Sequence, residues 1–549
     1  MSDKQSSTWV TRRKFVRMAL LASPALALVA CGEQPTSLSQ LQTQSIQTTA
    51  IPQTQKKPTP TPQVQTQQAQ ATASPQSQTQ PSSLPSEQTS GSKKSQTPTT
   101  GIVSVNPAFA MPEILGRPTK NSITVNIVPV KKLELYVEYG TESAKYTVQT
   151  KAITGEASTP VETLLENLQP NTRYYYRVKY REPGASSFSE ALENSFVTQR
   201  TPGSAFTFSI QGDSHPERPQ QFDSELYMQT MKNVQAEGTD FYLTIGDDFS
   251  VDKLNPPTKE GVEQLYSYQR QFLAQIGKSS PVFLVNGNHE QAAKYLLDGT
   301  PNNVAIWAQN ARNKYFSQPT PDNFYSGDTQ AVEFIGQLRD YYAWTWGDAL
   351  FATIDPYWHS SVPVDSMLGG GGDKNIDLWD ITLGDVQYQW LKKTLEESKA
   401  KYKFVFTHHV LGTGRGGTDM ANQYEWGGKN KKGVWEFDKK RPGWELPIHQ
   451  LMAKNGVTIF FQGHDHVFVK QELDGVIYQS LPEPADPNYA LYNADAYKSE
   501  VKYPNTGHVR VSVSAQQVKV EYISSVLPKN ETKEKANGTV IYSYTVTAK

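Results

Sequence analysis

Five short clusters of metal-ligating residues stand in order beyond residue 204: Asp213-Ser214-His215, Gly246-Asp247-Asp248, Gly287-Asn288-His289-Glu290, His408-His409 and Gly463-His464-Asp465-His466. An Asp-x-His pair at a strand end can put two ligands on one ion, because residues i and i+2 point to the same side. His464 and His466 share that spacing but could serve two neighbouring ions. A carboxylate such as Asp247 can bridge two metals, and the Asn288 amide offers a neutral oxygen. Nitrogen and oxygen donors without a thiolate suit Zn, Fe, Mn or a similar pair. Two such ions roughly 3.5–4 Å apart can hold a hydroxide between them and clamp the oxygens of a phosphoryl group.

The elements that must position these clusters are short β-prone runs. Phe206–Ile210, Phe241–Ile245, Val282–Val285, Phe404–Thr407 and Val457–Phe461 each lead directly into one cluster. Between them lie longer segments of helical spacing, the rhythm of an α/β domain. Ligands of open α/β sheets gather at the carboxyl ends of strands, so five clusters can share one crevice. The glycines that open three of the clusters permit tight turns and close backbone approach.

In this order the clusters resemble the calcineurin-like metallophosphoesterases, including the purple acid phosphatases. The resemblance covers residues 204–549 and implies a four-layer αββα sandwich, with two β-sheets flanked by helices, around a dinuclear centre of divalent or mixed-valence ions. It implies that one metal takes Asp213, His215, Asp247 and His466, and the other Asp247, Asn288, His408 and His464. His289 would hydrogen-bond the phosphoryl group or leaving oxygen, with Glu290 orienting it, and Asn288 would also face substrate. Tyr341–Phe351 is similar to that family's strand pair between its third and fourth motifs. The chain departs from the purple enzymes at Ser250, where they carry the tyrosine that colours iron, and in its Asp-x-His first block. A colourless protein is the expectation. The implied reaction is hydrolysis of a small phosphate ester by a metal-bridging hydroxide. A phosphomonoester is favoured, because the layout of a β region before the catalytic domain resembles the purple enzymes; a phosphodiester or nucleotide is the alternative. A non-enzymatic surface binding protein is the second alternative, against which the intact ligand set argues.

Several other residues invite a role. Trp307, Tyr315, Phe316, Phe324, Tyr325, Trp344, Trp346 and Trp358 are divided between core and a pocket above the metals. Arg415, after His408, is the candidate phosphate contact, since a guanidinium takes phosphate bidentately. Gly369–Gly372 reads as a mobile turn. Asp474-Gly475 reads as a hairpin turn. His359, His449 and His508 match no cluster and read as satisfied core or surface side chains, while His409 is undecided.

Residues 101–201 show short alternating runs such as Ser122–Ile127 and Leu133–Tyr139, each the pattern of a half-buried strand. Leu168–Val178 resembles the tyrosine-corner segment of a fibronectin type III sandwich, with Tyr174 at the corner. Residues 32–100 hold mostly Gln, Thr, Ser and Pro, which cannot bury enough apolar surface to offset chain entropy. They read as a disordered tether spanning on the order of 45 Å. Residues 1–31 read as a targeting segment: Thr11–Arg17 resembles a twin-arginine export signal and Leu28–Gly32 a lipoprotein cleavage box. The resemblance implies an extracytoplasmic protein, anchored through lipid on Cys31 or secreted. Cys31 is the single cysteine of the 549 residues, so internal disulfides are excluded. A net charge of −1 gives no indication of a nucleic-acid partner.

Overall fold

The computed structural model describes residues 106–364, 376–410, 415–499 and 501–548. The targeting segment, the tether, Cys31 and Gly369–Gly372 lie outside them. Among the described residues no helix is long and apolar enough to cross a membrane.

The N-terminal region is all β. One antiparallel sheet joins Phe109–Gly116, Ile123–Pro129 and Val161–Leu165; a second is built on Leu133–Gly140 paired with Arg173–Arg181. In Leu133–Gly140, Leu133, Leu135 and Val137 are buried while Glu134, Tyr136 and Glu138 are half-buried, the alternation expected of a strand with one face on a core. They pack with Val125, Ile127, Tyr176, Val178 and Phe196. The Tyr174 hydroxyl accepts the backbone N–H of Gln169 at 2.9 Å, closing the chain corner.

The larger part stacks two sheets face to face between two layers of helices. The first sheet runs Val282–Leu284, Phe241–Thr244, Phe206–Gln211, Gly507–Val513, Gln517–Ser524, Val540–Thr547. Its first three strands are parallel and the remainder antiparallel. In the second, Ala349–Thr353, Tyr402–Phe406, Ile459–Gln462 and Val476–Ser480 are parallel neighbours, with antiparallel strands outside them. Side-chain alternation assigns the layers. Phe206, Phe208, Ile210, Phe351, Phe404, Phe406 and Phe461 fill the space between the sheets. Leu350, Val405 and Phe460, one residue out of phase, face the helices Gly384–Glu397 and Ile448–Lys454. Helices Ser224–Glu237, Lys259–Gly277 and Val304–Tyr315 cover the outer face of the first sheet. This is the αββα sandwich expected from the sequence, preceded by an all-β region.

The β region shares apolar contacts with the helices. Met111, Ile114 and Val128 belong to the core of helices Ser224–Glu237 and Lys259–Gly277. The fully buried Arg270 donates to Asn126 Oδ1 and Asn126 O, both at 2.8 Å, and to Pro112 O at 3.2 Å. The Asp474-Gly475 turn joins antiparallel Phe468–Leu473 and Val476–Ser480 with both residues at positive φ, 48° and 78°, the backbone of a two-residue hairpin.

Candidate metal centre

The carboxyl ends of Phe206–Gln211, Phe241–Thr244, Val282–Leu284, Tyr402–Phe406 and Ile459–Gln462 carry the five clusters, and the structure brings them together. Ligand atoms of Asp213, His215 and His466 lie within 4.8 Å of one another, as do those of Asp247, His408 and His464. Asp213 Oδ2 stands 3.0 Å from His466 Nε2 and 3.7 Å from His215 Nε2. Asp247 Oδ2 stands 2.9 Å from His408 Nε2 and 3.8 Å from His215 Nε2, between the two groups. Asn288 Oδ1 is 3.1 Å from His464 Nδ1. Every one of these side chains is buried.

Each carboxylate is fixed by the backbone of another cluster. Both oxygens of Asp213 accept the N–H of His464, at 2.9 and 3.0 Å. Asp247 Oδ1 accepts the N–H of His289 at 2.9 Å, which leaves Oδ2 turned toward the histidines. His408 donates Nδ1–H to the Ile245 carbonyl at 2.9 Å, which turns Nε2 toward Asp247. The outer nitrogens of His215 and His466 meet Glu217 at 3.0 Å and Glu483 at 2.9 Å, contacts that orient a ligating imidazole and raise its basicity. His215, Asp247, His464 and His466 all have left-handed backbone, with φ between 43° and 68°. Such strain, of order 1–3 kcal/mol per residue, persists only where surrounding structure fixes it. Gly463 and Gly287 are required by close approach: a Cβ on either would collide with Asp213 Oδ1 or Asp247 Oδ1 respectively.

The donor set fits metal. His408 Nε2 is buried 2.9 Å from Asp247 Oδ2, and two such atoms side by side take a cation between them: a proton, or a metal ion that displaces it. The field says the same. Burial opposes charging His408 and His466, yet Asp247 and Asp213 on the first, and Glu483 and Asp213 on the second, push both up to about 10. Burial also works to raise Asp213 and Asp247, but His408 beside both holds them well below the usual carboxylate range.

Two roles expected from the sequence change. Glu290 does not touch His289. Its Oε2 accepts the N–H groups of Gly287 (2.6 Å) and Asp247 (3.1 Å), and its Oε1 those of Asp248 (2.8 Å) and Phe249 (3.1 Å). It therefore ties two ligand loops together, and the side chain that orients His289 is Asp252, at 2.8 Å from Nδ1. Burial opposes protonation of His289, but Asp247 and then Asp252 push it up to about 9. Arg415 does reach the cavity, but its guanidinium is engaged by Asp465 Oδ1 at 2.7 Å and the His464 carbonyl at 2.5 Å. The cation nearest His289 is Arg218, whose Nη2 is 3.3 Å from His289 Nε2. Sequence reasoning missed Arg218, Glu217, Asp252 and Glu483; only Glu217, two residues after His215, carried a spacing signal.

A cavity of about 790 Å³ opens over Asp247, Asn288, His289, His464 and His466, with Arg218, Lys253 and Arg415 among its walls. Its aromatic wall is Tyr295 and Tyr357, whereas Trp344, Trp346, Tyr315, Phe316 and Tyr325 belong to the core and Trp358 to a small apolar cluster of its own. Most of the aromatic run is thus structural. His409 lies behind the centre, stacked on His464 and bonded to the Tyr357 hydroxyl at 2.7 Å; burial and His408 lower its pKa to about 3, so it stays neutral. His449 contacts Tyr478 and Asp474, and His508 contacts Glu237.

Residues 206–468 match the calcineurin-like phosphoesterase family. The fold is similar to a purple acid phosphatase, PPD1, from yellow lupin (Lupinus luteus) seeds, with 17% identity over 79% of this chain and 74% of that one and a TM-score of 0.52. It is also similar to PhoD, with 15% identity over 80% of this chain and 90% of that one and a TM-score of 0.56. No curated protein matches the sequence.

Proposed function

We propose that this protein, whose residues 206–468 match the calcineurin-like phosphoesterase family, hydrolyses phosphate monoesters. Asp213, His215, Asp247 and His466 would hold one ion, and Asp247, Asn288, His408 and His464 the other. When bound, two such ions supply an acidified water and Lewis acidity toward phosphoryl oxygens. The observation that carries the monoester reading is the pairing of Arg218 with His289 at the open side of Asp247. Arg218 Nη2 and His289 Nε2, 3.3 Å apart, stand close enough to donate together to one dianionic phosphoryl group bound beside them. Asp252 accepts Nδ1–H from His289 and points Nε2 into the cavity, where its proton can pass to the departing oxygen.

The cavity, about 790 Å³, is much larger than one phosphate, and this favours a diester or nucleotide as the second reading. Hydrolysis of p-nitrophenyl phosphate and bis-p-nitrophenyl phosphate, after separate Zn, Mn and Fe reconstitution, separates the two. A higher kcat/KM on the monoester is expected; preference for the diester moves the assignment to the second reading.

The Thr11–Arg17 and Leu28–Gly32 patterns support an extracytoplasmic location with lipid on Cys31. Cys31→Ser is expected to release the protein from the membrane fraction. The corner contact of Tyr174 supports a fibronectin type III-like reading of residues 101–201.

A further inference from the structure

We propose that Asp328, Asp340 and His359 form a third divalent-cation site, separate from the dinuclear centre and of structural use to the cavity wall. One carboxylate oxygen of each aspartate and one ring nitrogen of His359 lie within 4.8 Å of one another. Both aspartates are 1% exposed. His359 Nε2 is 3.1 Å from Asp340 Oδ2. Asp340 Oδ1 is fixed by the Tyr341 N–H and Asp328 Oδ1 by the Gln330 N–H, both at 2.8 Å. Asp328 Oδ2, in contrast, is buried and makes no hydrogen bond of normal geometry, although the Tyr341 hydroxyl lies beside the carboxylate.

Charge strengthens the case. Among the described residues His359 is the one ion-pair partner of Asp340, and Asp328 has none. Asp355 adds a further buried carboxylate whose field reaches Asp340 and His359. Burial, followed by repulsion from Asp340, pushes Asp328 and Asp355 each up to about 6. Three buried carboxylates outnumber the single imidazole that can offset them, and a dication supplies further positive charge at one point. Two oxygens and one imidazole nitrogen suit Zn²⁺ or Mn²⁺. Ligand atoms about 2.1 Å from such an ion stand about 3–4 Å apart, so the set needs only slight closure.

The position explains what the ion would do. Asp328 and Asp340 are the two feet of the excursion that carries Ala331–Val332 paired with Gly336–Gln337. His359 lies between Tyr357 and Val362, which line the active cavity. Asp355, on the same segment, accepts from Asn286 at 2.6 Å, two residues before Asn288. An ion here clamps the excursion to the cavity wall.

The test counts Zn²⁺ per full-length chain after chelator stripping and dialysis against Zn²⁺ alone. Asp328→Asn and Asp340→Asn are each expected to hold one equivalent fewer than wild type. A variant carrying Asp247→Asn with His408→Ala is expected to keep one equivalent, and a Zn²⁺-dependent rise in thermal midpoint that Asp328→Asn removes. Equal zinc in wild type and Asp328→Asn overturns the site; the two carboxylates then share a proton. Zinc lost from the 247/408 variant reports on the dinuclear centre independently. Should Asp328→Asn lose its circular dichroism, His359→Gln is read in its place with the same criterion.

Discussion

Glu290 gives the sharpest test of how the centre is held, because two roles for it predict different measurements. Its four acceptor contacts divide evenly, with Asp247 and Gly287 on Oε2 and Asp248 and Phe249 on Oε1. Burial, followed by repulsion from Asp247, pushes its pKa up to about 7, yet a proton on either oxygen would have to point at a backbone N–H. Glu290→Gln keeps the shape and replaces one oxygen with an NH₂ group. Whichever way the amide turns, two buried backbone N–H groups then face donors. At about 1–3 kcal/mol for each orphaned group, the loss is about 2–6 kcal/mol. It falls on the two loops that carry Asp247 and Asn288, so metal affinity should drop with stability. Urea denaturation of the stripped protein, with metal content of the reconstituted protein, reads both. If Glu290 acted instead by orienting His289, the variant would keep its stability and its metal and lose only kcat. A Glu290→Gln protein within about 1 kcal/mol of wild type, carrying its full metal, would refute the loop-tying role.

Other outcomes follow from the same geometry. Asp247→Asn removes the carboxylate shared by both ligand sets and should bring turnover to background with the circular dichroism unchanged. His289→Ala should lower kcat by about 10²–10⁴ while metal content stays whole, and Asp252→Asn should reproduce a part of that loss; full activity in both would remove His289 from the reaction. Gly463→Ala drives a methyl group into Asp213 and is expected to halve the metal content or worse. Iron-loaded protein should show no strong visible band if, as the resemblance implies, Ser250 stands where the purple enzymes carry tyrosine; an intense band would mean another phenolate reaches the metal.

What the sequence made legible was set by distance along the chain. Each cluster sits within a few residues of its strand, and Phe206, Phe208 and Ile210 announce by their spacing which side faces the second sheet. The clusters and their order were readable for that reason, while the four layers were implied by the family resemblance. The residues that tune the centre were not, since they act across long separations: Glu483 reaches His466 from beyond the Phe468–Leu473 and Val476–Ser480 hairpin, and Arg218 meets His289 from the first loop. Glu290 shows a different limit. The family resemblance implied a partner of the imidazole, but its side chain turns back onto four N–H groups, a direction that sequence position does not set. His359 was unreadable for the same reason: Asp328 and Asp340 become its neighbours only when the excursion between them folds back on itself. The β region makes the point at larger scale. Its alternating strands predicted a separate sandwich, yet Arg270 on the catalytic side places its buried guanidinium against Asn126 and Pro112. That buried cation shares its N–H groups between these carbonyls and the Tyr315 carbonyl, acceptors that a buried guanidinium requires. The β region therefore forms part of the platform on which helix Lys259–Gly277 stands, and through Gln269, which donates to Ser214 at 2.9 Å, that helix supports the first metal-binding loop.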